Sequence, residues 1–130
     1  MEKFVININS DGEYQFDFIN NNNEIILSSG EYTRKFMCIK GIESVKMNSQ
    51  DPTKFNRKTA QSNKRYFNIK AFNGKIIAIS KMFDDKVACD LAMESFRSKA
   101  PNALIEDRSN SRREPQIYRK AVAEMALQAG

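Results

Sequence analysis

The chain contains an internal repeat, and this repeat restricts its fold more than any other feature of the sequence. When the sequence is shifted by 51 residues against itself, positions 4–46 align without a gap with positions 55–97, and ten of the 43 pairs are identical. The identical pairs are Phe4 and Phe55, Phe16 and Phe67, Asn22 and Asn73, Ile25 and Ile76, Ile26 and Ile77, Ser29 and Ser80, Lys35 and Lys86, Cys38 and Cys89, Glu43 and Glu94, and Ser44 and Ser95. The two segments are therefore tandem copies of one structural unit.

Each copy begins with a pattern that is typical of β-structure. Apolar and polar residues alternate over residues 4–8 and 14–18, and residues 24–29 form a third β-rich stretch. Turn-forming residues separate these stretches, and in the second copy Asn73-Gly74 is a strong signal for a two-residue hairpin. Each copy is therefore predicted to begin with a three-stranded meander.

The apolar period then becomes helical in both copies. The residues that share the inward face are Cys38, Ile42 and Val45 in the first copy and Cys89, Met93 and Phe96 in the second. We expect Thr33 and Asp84 to cap the two helices at their N-termini. Each copy is predicted to consist of three strands followed by one helix.

A further short strand is predicted at residues 103–107, placed after the second helix as residues 55–58 are placed after the first. Three strands and a helix cannot cover both their own apolar face and their edges, so the copies are expected to join. We predict an α+β fold with one mainly antiparallel sheet, both helices on one face and a pseudo-twofold axis. Residues 1–108 form the single predicted domain, with repeats at about 3–51 and 54–107, and a monomer is expected.

Residues 109–130 depart from the repeat. A linker rich in serine, asparagine and arginine precedes an amphipathic pattern at residues 115–128, which predicts an extra C-terminal helix. Two interpretations of this helix stay open. It packs on its own domain, or it mediates self-association.

Several segments resemble the YegP-like family. The resemblance covers roughly residues 3–107, and its most specific segments are GIESVK at 41–46, FNRKTA at 55–60, YFNIKAFNGK at 66–75 and APNALIED at 100–107. It implies repeats of three strands, a helix and a strand that share one sheet, with the C-terminal strands exchanged between the units. It implies no activity, no cofactor and no functional residues, because the family is one of unknown function.

Two positions depart from the pattern of this family. The first copy has Asn22-Asn23 where the family usually has Asn-Gly, which predicts a weaker hairpin turn because glycine tolerates positive φ best. The second copy has Ala92 where the first has Gly41, which predicts a slightly wider spacing between helix and sheet.

The residue types present exclude several kinds of catalytic site. The chain has no histidine, so histidine triads, histidine metal sites and histidine acid–base pairs are ruled out. Cys38 and Cys89 occupy matching helix positions, which favours a duplicated core site over a disulfide or a reactive thiol. The carboxylates are expected at helix surfaces and caps, and no base is evident for a serine nucleophile. No enzyme activity, metal or cofactor is predicted.

The positive charge is concentrated in one segment. Residues 1–51 have a net charge of −3 and residues 84–130 a net charge of zero, whereas residues 52–83 contain eight basic residues and no acidic ones. Such a segment, with aromatic residues between the lysines, suggests a surface for single-stranded nucleic acid. The candidate binding residues are Lys54, Arg57, Lys58, Lys64, Arg65, Lys70 and Lys75. The alternative is that the aromatic residues belong to the core and the lysines keep the sheet soluble.

The sequence leads to one preferred function and two alternatives. We expect a small non-enzymatic interaction or accessory module whose protein partner is unknown. A nucleic-acid-associated protein is the first alternative, and a small-molecule enzyme is the second. The longest apolar stretches, residues 25–27 and 76–79, are far too short to cross a bilayer. No membrane association is predicted, and a cytoplasmic location is expected.

Overall fold

The computed structural model describes residues 1–110 and the backbone of residues 116–118. The first copy contains β1 (Lys3–Ile8), β2 (Tyr14–Ile19), β3 (Ile25–Ser29) and α1 (Lys35–Asn48). The second copy contains β4 (Phe55–Thr59), β5 (Arg65–Lys70), β6 (Ile76–Ser80) and α2 (Lys86–Lys99). Two further strands follow, β7 (Leu104–Asp107) and β8 (Gln116–Tyr118). The predicted order of three strands and a helix in each copy is confirmed.

The eight strands form one sheet in the order β4-β5-β6-β3-β2-β1-β7-β8. At its centre β3 and β6 pair in antiparallel orientation, and Ser28 faces Ile79. These two residues are 51 positions apart, so they occupy the same place in the two copies. A pseudo-twofold axis therefore passes through this pair, and it relates β1, β2 and β3 to β4, β5 and β6. The prediction of one mainly antiparallel sheet built from tandem repeats is confirmed.

The strand that follows each helix joins the other half of the sheet. β7 follows α2 and pairs in parallel with β1, with Phe4 opposite Ile105 and Ile6 opposite Asp107. β4 follows α1 and pairs with β5 as the first strand of the second copy. β7 thus lies outside β1, while β4 ends the sheet on the opposite side. This crossing of strands between the copies agrees with the family resemblance.

Both helices pack on the same face of the sheet and share one core. Phe96 of α2 lies at its centre, with ring centroids 4.8 to 6.5 Å from those of Phe4, Phe18, Phe55 and Phe67. These rings come from both copies, so neither copy encloses a core of its own. Among the described residues no helix is long and apolar enough to span a membrane.

The helices begin one residue later than predicted. The N-caps are Arg34 rather than Thr33, and Asp85 rather than Asp84. The cause in the first copy is Tyr32, whose backbone N–H and C=O both bond to Tyr14 and keep the chain extended. The helix can begin only after the chain has left this bridge.

The prediction of a C-terminal helix is wrong at Gln116–Tyr118, where the chain forms β8 and pairs antiparallel with β7. The free edge of β7 offers backbone hydrogen bonds, and a segment with isoleucine and tyrosine has a high strand propensity. Pairing with this edge therefore competes with helix formation. The rest of the predicted helix at 115–128 lies outside the described residues, so its proposed role in self-association stays a prediction.

Candidate interaction site at the edge of strand β4

The seven basic residues singled out in the sequence lie in the second copy but on different surfaces. Two are on the helix-covered face, two on the opposite face and three in the connections before and between strands: Arg57 and Arg65; Lys58 and Lys70; Lys54, Lys64 and Lys75. The split follows from strand alternation, because neighbouring residues of a strand point to opposite faces. The structure does not bring the seven residues together on one surface.

The aromatic residues of this segment are also divided. Phe55 and Phe67 belong to the core, as the alternative interpretation of the sequence predicted. Phe72, by contrast, is 90% exposed in the hairpin between β5 and β6. The Nζ atom of Lys54 lies 5.5 Å from the centroid of the Phe72 ring. This pair is the part of the basic segment that most resembles a stacking site for a base.

A cleft of about 240 Å³ opens where β4 and β5 meet the start of α2. Its lining residues are Arg57, Lys58, Thr59, Arg65, Tyr66, Lys86, Cys89 and Asp90. Arg57 Nε donates to Asp90 Oδ1 at 2.7 Å, and Lys86 Nζ donates to Asp90 Oδ2 at 2.9 Å. These hydrogen bonds, that from Arg57 most of all, lower the pKa of Asp90, so its carboxylate stays charged between two cations.

The two cysteine thiols of the chain, one on each helix, are not activated as nucleophiles. Cys38 and Cys89 are both free and buried in the shared core, which confirms their interpretation as a duplicated core site. Burial raises the pKa of Cys38 to about 12 and also raises the pKa of Cys89. A thiol in this state is a poor nucleophile and a poor metal ligand. Within the described ranges, no cluster of three or more cysteine and carboxylate side chains is placed to hold a metal ion.

In the first copy the place that corresponds to this cleft is filled by β7. Lys35 Nζ lies 2.8 Å from Asp107 Oδ2, and the Asp107 side chain is only 1% exposed. Burial alone raises the pKa of Asp107, but hydrogen bonds from Lys35 and Ser109 outweigh it and lower the pKa. Lys35 and Lys86 are equivalent in the repeat. The cleft beside Lys86 is thus the counterpart of a place where the first copy binds a carboxylate.

Two charged residues of the cleft were not among the candidates from the sequence. Lys86 and Asp90 are on α2, outside the basic segment 52–83 that supplied the candidates. The signal that identifies Lys86 is its identity with Lys35 in the repeat. That identity becomes informative only when the structure reveals the partner of Lys35 on β7.

Comparison with known proteins places the chain in a family. Residues 9–55 and residues 60–107 each match the family model described as Domain of unknown function (DUF1508). The chain belongs to this family. Each matched segment contains the second and third strands and the helix of one copy, so the unit of the family is the repeat found in the sequence. The resemblance to the YegP-like family is confirmed by the relatives of the chain.

Two curated relatives illustrate this membership. The UPF0339 protein YegP of Escherichia coli (strain K12) is 34% identical over 104 residues, which is 80% of this chain and 94% of the relative. A UPF0339 protein encoded in the ptx operon 5' region of Stutzerimonas stutzeri is 34% identical over 99 residues, which is 76% of this chain and 89% of the relative. Neither name states an activity.

The fold of the family is also found in solved structures. The solution NMR structure of a UPF0339 protein from Shewanella oneidensis has a TM-score of 0.80 and 31% identity, and the match covers 85% of this chain and 93% of that one. The solution NMR structure of yegP from E. coli, described as a protein of unknown function, has a TM-score of 0.79 and 33% identity, with coverage of 85% and 95%. Members of the family therefore share this architecture.

Proposed function

We propose that the protein is a non-enzymatic interaction module that binds an acidic segment of a partner protein at the edge of β4. The observation that carries this proposal is the cleft beside β4, where Arg57, Arg65 and Lys86 converge with Asp90 as the one acidic residue in the lining. Charged groups placed in this way attract a partner of opposite charge and select against partners of like charge.

The chemistry of the cleft supports binding rather than catalysis. Its thiol, Cys89, has a raised pKa, and its carboxylate, Asp90, is held by two cations. A raised thiol pKa disfavours a nucleophilic role for Cys89, and the two ion pairs disfavour a general-base role for Asp90. The free thiols of Cys38 and Cys89 also fit our proposal of a cytoplasmic location, where a reducing environment prevents disulfide formation.

The proposal is tested with fluorescein-labelled poly-L-glutamate in an anisotropy titration. We expect binding at low salt that weakens as salt is added, because exposed charges are screened. The double variant Arg57→Glu with Lys86→Glu is expected to lose at least about tenfold in affinity, which corresponds to about 1.4 kcal/mol.

A matched control makes the same change in net charge at residues that lie away from the cleft. Lys40 on α1 and Lys99 at the end of α2 are both exposed, so Lys40→Glu with Lys99→Glu serves this purpose. Equal losses in the two double variants would mean that net charge, and not the cleft, governs binding. That result, or no binding of poly-L-glutamate at low salt, would contradict the proposal.

Binding of single-stranded nucleic acid is the second candidate function, and Phe72 with Lys54 is the observation that favours it. An exposed ring beside a lysine offers stacking together with a phosphate contact. A labelled oligo(dT) provides the comparison under the same conditions. If oligo(dT) binds more tightly than poly-L-glutamate and Phe72→Ala weakens only the oligo(dT) complex, nucleic acid replaces the acidic protein segment as the ligand.

A further inference from the structure

The pseudo-twofold axis gives β1 and β4 the same place in the sheet but different neighbours. β7 lies outside β1, whereas β4 is the terminal strand of the sheet that the described residues form. A terminal strand presents a row of backbone N–H and C=O groups that pair with no neighbouring strand. One outer position of the sheet is thus occupied by β7, and no described residue occupies its symmetry-related position beside β4.

Two backbone hydrogen bonds, one between the chain after β7 and β1 and one in the hairpin of β4 and β5, identify the groups of β4 that face outward. The C=O of Ile6 accepts a hydrogen bond of 2.8 Å from the N–H of Arg108, the residue that follows β7. The counterpart of Ile6 in the second copy is Arg57. Ala60 donates to the C=O of Lys64 at 2.8 Å, so alternation along the strand turns the backbone of Arg57 away from β5. Arg57 therefore presents its N–H and C=O to the outer side.

Two lysines of the first copy bind the acidic side chains of β7. Lys3 Nζ lies 2.7 Å from Glu106 Oε1 on the face of the sheet without helices. Lys35 Nζ lies 2.8 Å from Asp107 Oδ2 on the helix-covered face. Charge-assisted hydrogen bonds of this length are among the stronger polar contacts in proteins. The first copy thus holds its outer strand from both faces.

Both lysines recur in the second copy at an offset of 51 residues, as Lys54 and Lys86. Phe4, the core residue opposite Ile105 of β7, recurs as Phe55. The side chain of Lys86 is 67% exposed and contacts a carboxylate of its own helix. The second copy therefore carries the side chains that bind an outer strand in the first copy.

We propose that β4 binds the acidic partner segment as an added parallel β-strand, in the position that β7 occupies beside β1. This inference rests on the proposed function and specifies the form of the partner. The bound strand carries an apolar side chain opposite Phe55 and a carboxylate that pairs with Lys54. It carries a second carboxylate in the cleft beside Arg57 and Lys86. Addition of a strand to an exposed sheet edge is a recurring mode of peptide recognition.

The charges of the chain argue against two other occupants of this edge, namely β4 of a second copy and the C-terminal residues 109–130. Antiparallel pairing of β4 with β4 of a second copy brings Arg57 and Lys58 close to the same residues of the other chain, and like charges on facing strands destabilise pairing. The C-terminal residues 109–130 contain four basic and two acidic side chains, so they do not complement a basic edge either. A separate acidic segment matches the edge better than either of these.

Asp90 has no counterpart in the first copy, where Ile39 occupies its position. In the free protein Asp90 binds both Arg57 and Lys86. A carboxylate of the added strand must therefore compete with Asp90 for the same two cations. Asp90→Asn removes the competing charge and is expected to raise the affinity for the added strand several-fold.

The experiment uses a capped peptide with the sequence of residues 102–109, which includes β7, titrated into the ¹⁵N-labelled full chain and followed by NMR. We expect shift changes along β4 and the start of α2, and intermolecular contacts between the peptide isoleucine and Phe55. Arg57→Ala is expected to lower the affinity about tenfold, which corresponds to about 1.4 kcal/mol. Arg57→Pro also removes the outward N–H, which an edge strand tolerates, and is expected to abolish binding.

Two peptide variants test the same geometry with the protein unchanged. Methylation of the peptide nitrogen at the position of Arg108 removes the N–H that donates to the Arg57 C=O, and it is expected to abolish binding. Replacement of the aspartate at the position of Asp107 by asparagine is expected to cost about tenfold, or about 1.4 kcal/mol. A scrambled peptide of the same composition is expected not to bind.

The outcomes separate strand addition from the broader function. If the scrambled and N-methylated peptides bind as tightly as the native peptide while poly-L-glutamate still binds, strand addition is wrong and the acidic-partner function stands. If neither the native peptide nor poly-L-glutamate binds, the function itself is wrong. A dimer in sedimentation equilibrium that Arg57→Pro dissociates would assign the edge to a second copy. Peptide binding that appears only after deletion of residues 111–130 would assign it to the tail.

Discussion

At the scale of single residues, Gly41 and Ala92 illustrate how the two copies differ without a change of fold. A Cβ atom at Gly41 would clash with the hydroxyl oxygen of Tyr32 and would lie 3.1 Å from Cε2 of Phe16. The residue equivalent to Tyr32 in the second copy is Phe83, which has no hydroxyl. The structure thus gives a reason for Ala92 that differs from the predicted wider spacing between helix and sheet. The second copy therefore lacks the atom that would lie nearest to a Cβ at this position.

We predict that Gly41→Ala lowers the free energy of unfolding by about 1 to 3 kcal/mol, because overpacking forces neighbouring side chains to shift. Tyr32→Phe in the same chain should restore part of this loss. The recovery is partial because the Cζ atom of Tyr32 also lies 2.9 Å from the added Cβ. Urea denaturation of the two single variants and the double variant measures the coupling. Strictly additive effects would show that the hydroxyl is not the obstacle.

The turn residues are a second case at this scale. Asn23 has a φ of 61° and its repeat counterpart Gly74 a φ of 85°, so asparagine adopts the left-handed conformation that the hairpin requires. The side chain of Asn20 supports this turn by accepting hydrogen bonds from the N–H groups of Asn22 and Glu24. The hairpin turn that was expected to be weaker in the first copy is therefore stabilised by side-chain hydrogen bonds. The residue types at the turn did not by themselves predict these bonds.

At the scale of elements, the strands and helices were predictable because each depends on a local pattern. Alternation identified β1, β2 and β5, the position after the first helix in the repeat identified β4, and the helical period identified α1 and α2. The parallel pairing of β7 with β1 was beyond such reasoning, since Phe4 and Ile105 are far apart in the chain. Only the family resemblance indicated an exchanged strand. β8 was missed because the free edge of a neighbouring strand decides its conformation.

We predict that the attachment of β7 makes stability dependent on pH through Asp107. The pKa of Asp107 is lower in the folded chain than its ordinary value of about 3.9. A carboxyl group with a depressed folded pKa contributes stability that is fully present above the unfolded pKa. That stability is lost as the pH falls through the folded pKa. Asp107→Asn should therefore reduce the loss of stability between about pH 5 and pH 2.

Urea denaturation across this pH range measures the effect. At neutral pH Asp107→Asn should lower the free energy of unfolding by about 1.5 to 3 kcal/mol, since it weakens a buried charge-assisted contact with Lys35. Asp11→Asn, which removes an exposed carboxyl from the turn between β1 and β2, is the control for the loss of one charge. Parallel pH profiles for the wild type and Asp107→Asn would contradict this role of Asp107.

At the scale of the whole molecule, the repeat explains both the fold and the candidate site. The duplicated sequence predicted one sheet, and the rings around Phe96 show why the halves cannot separate. The sequence also located the excess of positive charge, but it did not show that strand alternation divides this charge between two faces. Lys86 is identified as a residue of the candidate site only by the symmetry of the folded molecule, which relates it to Lys35. Its role depends on a partner strand that the linear pattern does not contain.

The most direct test of the account compares the backbone amides of Ile6 and Arg57 by hydrogen exchange in the free, full-length protein. The two amides are equivalent in the repeat, and they differ in that β7 covers β1 while no described strand covers β4. We expect slow exchange at Ile6 and fast exchange at Arg57, with Arg57 becoming protected when the peptide of residues 102–109 is added. Equal protection of the two amides in the free protein would contradict an open edge at β4.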